Sequence, residues 1–117
     1  MEIMDESIKL AIAAAQDKKA LDLVLLDLHK TGSFTDCFFI CSGTSAPQNQ
    51  AIADEIERRL KKTHRRPNHI EGYTQAEWIL MDYSDFIIHI LLPKTRSFYN
   101  LERLWRDAPR MDIQTPD

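Results

Sequence analysis

The chain has 117 residues, a mass of 13.6 kDa and a formal net charge of −3, a length that holds one domain and leaves little for a second. Its 44% hydrophobic and 28% charged content excludes a disordered chain, and three glycines and five prolines exclude collagen-like and linker-like sequences. Two cysteines cannot make a disulfide scaffold, which points to a reducing compartment.

Residues 2–16 carry apolar side chains at helical spacing (Ile3, Ile8, Leu10, Ala11, Ala14, Ala15), with acids first and Lys18 and Lys19 just past the end. Leu21–Leu28 reads as a strand buried on both faces, His29–Asp36 as a turn, and Cys37–Ser42 as a second apolar strand. The link between them is too short for a parallel crossover, so they should be antiparallel neighbours. Gly43-Thr44-Ser45-Ala46-Pro47 opens a helix capped by Ser45 that runs to about Lys62, with Ile52, Ile56 and Leu60 on its apolar stripe. This strand–helix unit predicts a right-handed crossover. Asn68–Gly72 predicts a brief edge strand. Ala76–Tyr83 and Phe86–Leu92 predict two strands joined as a hairpin at Ser84–Asp85, although that linker lacks the usual glycine. Pro93 stops the last strand. Ser97–Arg106 predicts one final helix with Phe98, Leu101 and Trp105 on one face, and residues after Pro109 should fray. The expected order is α-β-β-α-β-β-α, an α/β fold with a mixed sheet flanked by helices, in a single domain over residues 1–109 followed by a frayed tail at 110–117.

Few residues combine into chemistry. The longest apolar-rich runs are broken by Asp22, Asp27 and His89 and fall short of the roughly 18 residues of a membrane helix. The acidic start MEIMDES lacks the basic character of an export signal, so the expectation is a soluble, cytoplasmic protein without a membrane partner. Cys37 and Cys41 lie on one strand face about 13 Å apart, too far to share a zinc ion or a disulfide, and read as core. His89 shares its face with Ile87 and Leu91 and reads as a core histidine. Gly43-Thr44-Ser45 before a helix could hold a phosphate, but the Walker lysine and the dinucleotide fingerprint are absent. No acid-x-acid pair lies along a strand, so two-metal phosphoryl transfer lacks its ligands. The expectation is no enzyme, no cofactor and no metal; a phosphoryl-transfer enzyme is the alternative.

Charge is segregated. Arg58, Arg59, Lys61, Lys62, Arg65 and Arg66 form a basic run without an acid, while Glu71, Glu77, Asp82 and Asp85 form an acidic one without a base. The basic run contains no aromatic residue, so at most a salt-dependent touch on RNA is expected of it. The acidic segment is different. EGYTQAEWILMDY mixes Tyr73, Trp78, Met81 and Tyr83 with its acids, the composition of an interface core. Strand alternation puts Trp78, Leu80 and Asp82 on one face and Glu77, Ile79, Met81 and Tyr83 on the other. One face should pack on a helix and the other could bind a partner.

Several stretches in order resemble the Iojap-like ribosomal silencing factors. They are Asp17-Lys18-Lys19-Ala20 into Leu21–Leu28, Ser33-Phe34-Thr35-Asp36-Cys37-Phe38-Phe39-Ile40, Gly43-Thr44-Ser45, Gln50-Ala51-Ile52-Ala53-Asp54, Glu71-Gly72 with Trp78-Ile79-Leu80-Met81-Asp82-Tyr83-Ser84-Asp85 and His89, and Tyr99-Asn100-Leu101-Glu102-Arg103-Leu104-Trp105. The sequence departs from common members at the basic link His64–Arg66 and at Cys37. The resemblance implies a sheet similar to that of nucleotidyltransferases without their catalytic carboxylates. It implies binding to the large ribosomal subunit through its fourteenth protein, a block to joining of the small subunit, lowered translation, and a part in large-subunit maturation. It also places the docking residues among Glu71, Tyr73, Glu77, Trp78, Met81, Asp82, Tyr83 and Asp85, acids to face a basic ribosomal protein and aromatics to anchor it. The basic link would touch ribosomal RNA incidentally, and a homodimer of the free protein is compatible with an exposed apolar sheet face.

Overall fold

The computed structural model describes residues 5–113. The order is α1 (Glu6–Asp17), β1 (Leu21–Asp27), β2 (Cys37–Ser42), α2 (Ala46–Lys62), β3 (His69–Glu71), β4 (Trp78–Asp82), β5 (Phe86–Leu91), α3 (Pro93–Tyr99), α4 (Leu101–Leu104) and β6 (Arg110–Asp112). One six-stranded mixed sheet runs β3-β4-β5-β2-β1-β6. β1 and β2 are antiparallel, as the short link between them requires, whereas β2 and β5 are parallel. The helix α2 thus carries the chain across to the far edge, and the β4–β5 hairpin fills the gap.

Alternation sorts the strands onto two cores. On one face Leu23, Leu25, Phe39, Ile79, Met81, Tyr83, Phe86, Ile88 and Ile90 meet Ile8, Ile12, Ile52, Ile56 and Leu60 of α1 and α2. On the other face Val24, Leu26, Phe38, Ile40, Ile87 and Leu91 form a smaller core with Leu101 and Trp105 packed against it. The two faces differ in cover: two long helices on one, two short ones on the other.

The helix starts follow capping chemistry. Asp5 accepts the N–H of Ile8 at 2.9 Å, so it caps α1 rather than sitting inside its first turn; the expected start at residue 2 lies outside the described residues. Ser45 accepts the N–H of Gln48 at 3.2 Å, with Pro47 in the first turn. The hairpin turn solves its missing glycine by placing Ser84 at φ 74, where the Asp82 carboxylate accepts its N–H at 2.8 Å.

Two expectations are corrected. The single helix expected at Ser97–Arg106 is two helices, because Asn100 adopts φ 48, ψ 61 and breaks the run. Its N–H bonds to the Arg96 carbonyl as a C-cap, and its side chain accepts the Arg103 N–H as the next N-cap. Phe98 therefore leaves the face it was expected to share and is 79% exposed. Pro93 does more than end β5: it is the first residue of α3. The tail expected to fray at 110–117 begins as a strand. Arg110–Asp112 pairs antiparallel with Val24–Leu26, and Met111 and Ile113 pack on the larger core. The open edge of β1 supplies hydrogen-bonding partners that a local reading of the tail cannot reveal; residues 114–117 lie outside the described residues.

Candidate docking face

The acidic segment is divided by the pleat. Met81 and Tyr83 lie in the larger core, 0% and 3% exposed, and the Tyr83 ring stacks on Phe86 at 5.0 Å between centroids. They are structural, and the expectation that they anchor a partner is corrected by strand alternation. Tyr73 lies elsewhere: its hydroxyl donates to Asp54 of α2 at 2.9 Å, and its carbonyl accepts from Gln50. Asp85 is engaged by Arg65, whose guanidinium donates to its carboxylate at 2.7 Å and to the Tyr83 carbonyl at 3.2 Å.

Trp78, Leu80 and Asp82 remain on the other face, and β3 adds its own residues beside them. The register pairs Glu71 with Leu80 and His69 with Asp82. Ile70 packs on the larger core, so its neighbours His69 and Glu71 face the same way as Leu80 and Asp82. The cover provided by α3 and α4 stops here: Trp78 and Leu80 are half-buried, and His69 and Glu71 are exposed. His69 sits between two acids, 3.8 Å from Glu71 and 3.8 Å from Asp82. Glu77 is exposed at the entrance to β4. The result is an apolar strip of Trp78 and Leu80 flanked by the acids Glu71 and Asp82, with Glu77 exposed just ahead of β4.

Trp78 is held from two sides. Its Nε1–H donates to Nδ1 of His89 at 3.0 Å, and Tyr99 lies over it at 4.9 Å between centroids. His89 is the core histidine its strand face predicts, 4% exposed, and burial lowers its pKa from 6.5 to about 4. Strand alternation already puts Leu80 on this face, but the expected docking residues leave out Leu80, His69, Tyr99 and Phe98. For His69 the signal was present, because it follows once β3 is paired with β4. Tyr99 and Phe98 depend on the break at Asn100.

The basic run is partly neutralised within the fold. Arg58 and Arg59 both donate to Glu55, whose pKa falls to about 2 under the Arg58 and then the Arg59 hydrogen bonds, and Arg59 also reaches Asp17 of α1. The turn before α2 is likewise engaged. The N–H and hydroxyl of Thr44 both donate to Gln48 Oε1, at 2.7 and 2.9 Å, and the Gln48 amide donates to the carbonyls of Lys18 and Lys19. Two of the donors that would cradle a phosphate there already have partners. Cys37 and Cys41 are buried free thiols, both pushed up by burial to about 12. Among the described residues no group of three or more His, Cys, Asp or Glu side chains is placed to hold a metal ion, and no helix is long and apolar enough to cross a membrane.

The protein is a single α/β domain with one well-covered sheet face and one half-open face flanked by acids. The family model described as "Ribosomal silencing factor during starvation" matches residues 2–117. The ribosomal silencing factor RsfS of Bacillus subtilis (strain 168) is 41% identical over 106 residues, which cover 91% of this chain and 90% of that protein. Mouse "Mitochondrial assembly of ribosomal large subunit protein 1" is 30% identical over 101 residues, covering 84% of this chain and 44% of the mouse protein. A crystal structure of a Chromobacterium violaceum protein superposes with a TM-score of 0.84 at 34% identity, covering all of this chain and 92% of that one. The chain belongs to the ribosomal silencing factor family.

Proposed function

We propose that this protein represses translation without catalysis, by docking on the large ribosomal subunit and blocking the small subunit from joining. The contact is made through the fourteenth large-subunit protein, with the open face of β3 and β4 as the docking surface. The observation that carries this reading is the half-buried strip of Trp78 and Leu80 flanked by Glu71 and Asp82, with Glu77 exposed just ahead of β4. Ribosomal proteins are typically basic, so an acidic rim orients the encounter while a buried indole supplies the affinity. Family membership supports the ribosome as the site of action, and the name of the mouse relative supports a part in large-subunit assembly.

Co-sedimentation with purified 50S subunits tests it. Trp78→Ala should weaken binding at least tenfold, about 1.4 kcal/mol or more. Glu71→Lys with Glu77→Lys should do the same and should restore 70S formation in a light-scattering assay. Both variants should keep a native circular dichroism spectrum. Unchanged binding by both variants would refute this surface. Loss of binding to subunits with retained binding to the isolated fourteenth protein would refute that protein as the partner.

A further inference from the structure

We propose that the outward surface of α3 and α4 binds an unpaired RNA strand, beside the acidic face but chemically opposite to it. The surface is an aromatic and basic one. Phe98 is 79% exposed, Tyr99 52% and Leu104 73%, and the Phe98 and Tyr99 rings meet edge to face at 5.0 Å. They line a groove of about 520 Å³ with Asn100, Arg103 and Arg106, within the size range of small-ligand pockets. Asp107 is the one acid among its lining residues.

The cations here are available, unlike Arg58, Arg59 and Arg65 of the basic run, which have carboxylate partners. Lys94, Arg103 and Arg106 are exposed, and none has a carboxylate partner among the described residues. The nearby Arg96 and Glu102 pair with each other at 2.9 Å and tie α3 to α4, with Arg96 also donating to Ser42 of β2 at 3.0 Å. This clamp sets the outer residues on a fixed base. The groove beside Arg58, Lys61 and Arg66 has cations too, but Asp54 and Glu57 line it and no exposed aromatic does.

Aromatic faces beside unpaired cations are the combination that binds single strands, because bases stack on rings while phosphates meet the cations. A protein partner is less favoured, since acids that could attract one lie on the β3–β4 side. The ridge Trp78–Tyr99–Phe98, continuous at 4.9 and 5.0 Å, separates an acidic surface from a basic one. A ribonucleoprotein presents a basic protein and an anionic strand side by side, which this division matches.

The test is fluorescence anisotropy of the full chain with a labelled ten-nucleotide oligouridylate and with an RNA duplex of equal length. The single strand should bind more tightly than the duplex. Phe98→Ala should weaken it several-fold, and Phe98→Trp should restore it. Arg103→Ser with Arg106→Ser should lower the slope of log K against log salt by about 1.4, the value for two lost phosphate contacts on a single strand. All three side chains are exposed, so the melting temperature should hold. Equal affinity for duplex and single strand, or no effect of Phe98→Ala, would overturn the proposal. So would loss of binding in Lys62→Ser with Arg66→Ser while the α3–α4 variants still bind. Polyglutamate competing as well as RNA, with Phe98 irrelevant, would point to a protein partner and overturn it as well. Because this assay contains no ribosome, its outcome is independent of the subunit-docking experiment.

Discussion

Trp78 and His89 are diagonal neighbours on adjacent strands, and the indole Nε1–H of one donates to Nδ1 of the other at 3.0 Å. This bond settles the histidine tautomer: Nδ1 accepts, so the proton of the neutral ring sits on Nε2. Nε2 is buried with no partner among the described residues, while the ring lies edge-on to Phe38 at 4.5 Å. A buried histidine with one nitrogen unpaired is a poor stabiliser. What it does is direct the indole of the half-buried residue at the centre of the open face.

A pH dependence follows. The unfolded chain binds a proton on His89 below about pH 6.5, whereas the folded chain resists until about 4. Between those values the unfolded state holds more protons, so stability is full above 6.5 and falls toward 4. The loss is about 2 kcal/mol between pH 7 and pH 5 and approaches about 3 kcal/mol at the lower limit. Urea unfolding of wild type and His89→Gln should differ by that amount more at pH 7 than at pH 5. Parallel pH profiles for the two proteins would show that His89 is not the group responsible.

Met81 and Tyr83 should behave as core. Met81→Ala should cost about 2–5 kcal/mol of folding stability. Tyr83→Phe should be neutral or stabilising, because the buried hydroxyl has no partner among the described residues and burial pushes its pKa up. Thermal melts decide both. A marked loss in Tyr83→Phe would mean that the hydroxyl is bonded.

Much of this was readable from residue order. The apolar runs Leu21–Leu28 and Phe86–Leu92, the Ser45 cap and the short β1–β2 link all act locally, and each appears in the fold. The parts that were not readable depend on partners distant in sequence. Asp85 looks like a free acid until Arg65, twenty residues away, is folded onto it. Tyr73 looks like an anchor free to meet a partner until Asp54 takes its hydroxyl and holds it against α2, still exposed. The strand at Arg110–Asp112 exists because β1 has an unpaired edge. At Asn100 the signal was local, since Asn tolerates the left-handed region, but the helical spacing of Phe98, Leu101 and Trp105 concealed it.

The thiols should be inert in the folded state. Thiolate is the reactive form, and with both pKa values near 12 almost none exists at pH 8. Ellman's reagent should report no fast-reacting thiol in native protein and two after addition of denaturant. A fast-reacting thiol in the native state would place Cys37 or Cys41 at the surface.

The tightest backbone constraint near the open face is Gly72, between β3 and β4. It adopts φ +79, and a Cβ there would collide with the carbonyl of Trp78. Gly32 provides an internal control, because it adopts φ +74 with nothing within 4 Å of the added atom. Gly32→Ala should therefore cost only the left-handed backbone penalty, about 1–2 kcal/mol. Gly72→Ala should add the displacement of the Trp78 backbone, bringing the loss above that of Gly32→Ala by about 1–3 kcal/mol. The same displacement should disturb the Trp78–His89 bond, so the indole N–H of Trp78 should exchange faster with solvent in a two-dimensional NMR experiment. Gly32→Ala should leave that resonance unchanged. Equal stability losses in the two variants would mean that β4 shifts freely to accept the new methyl group, and that the open face is not held rigid by this turn.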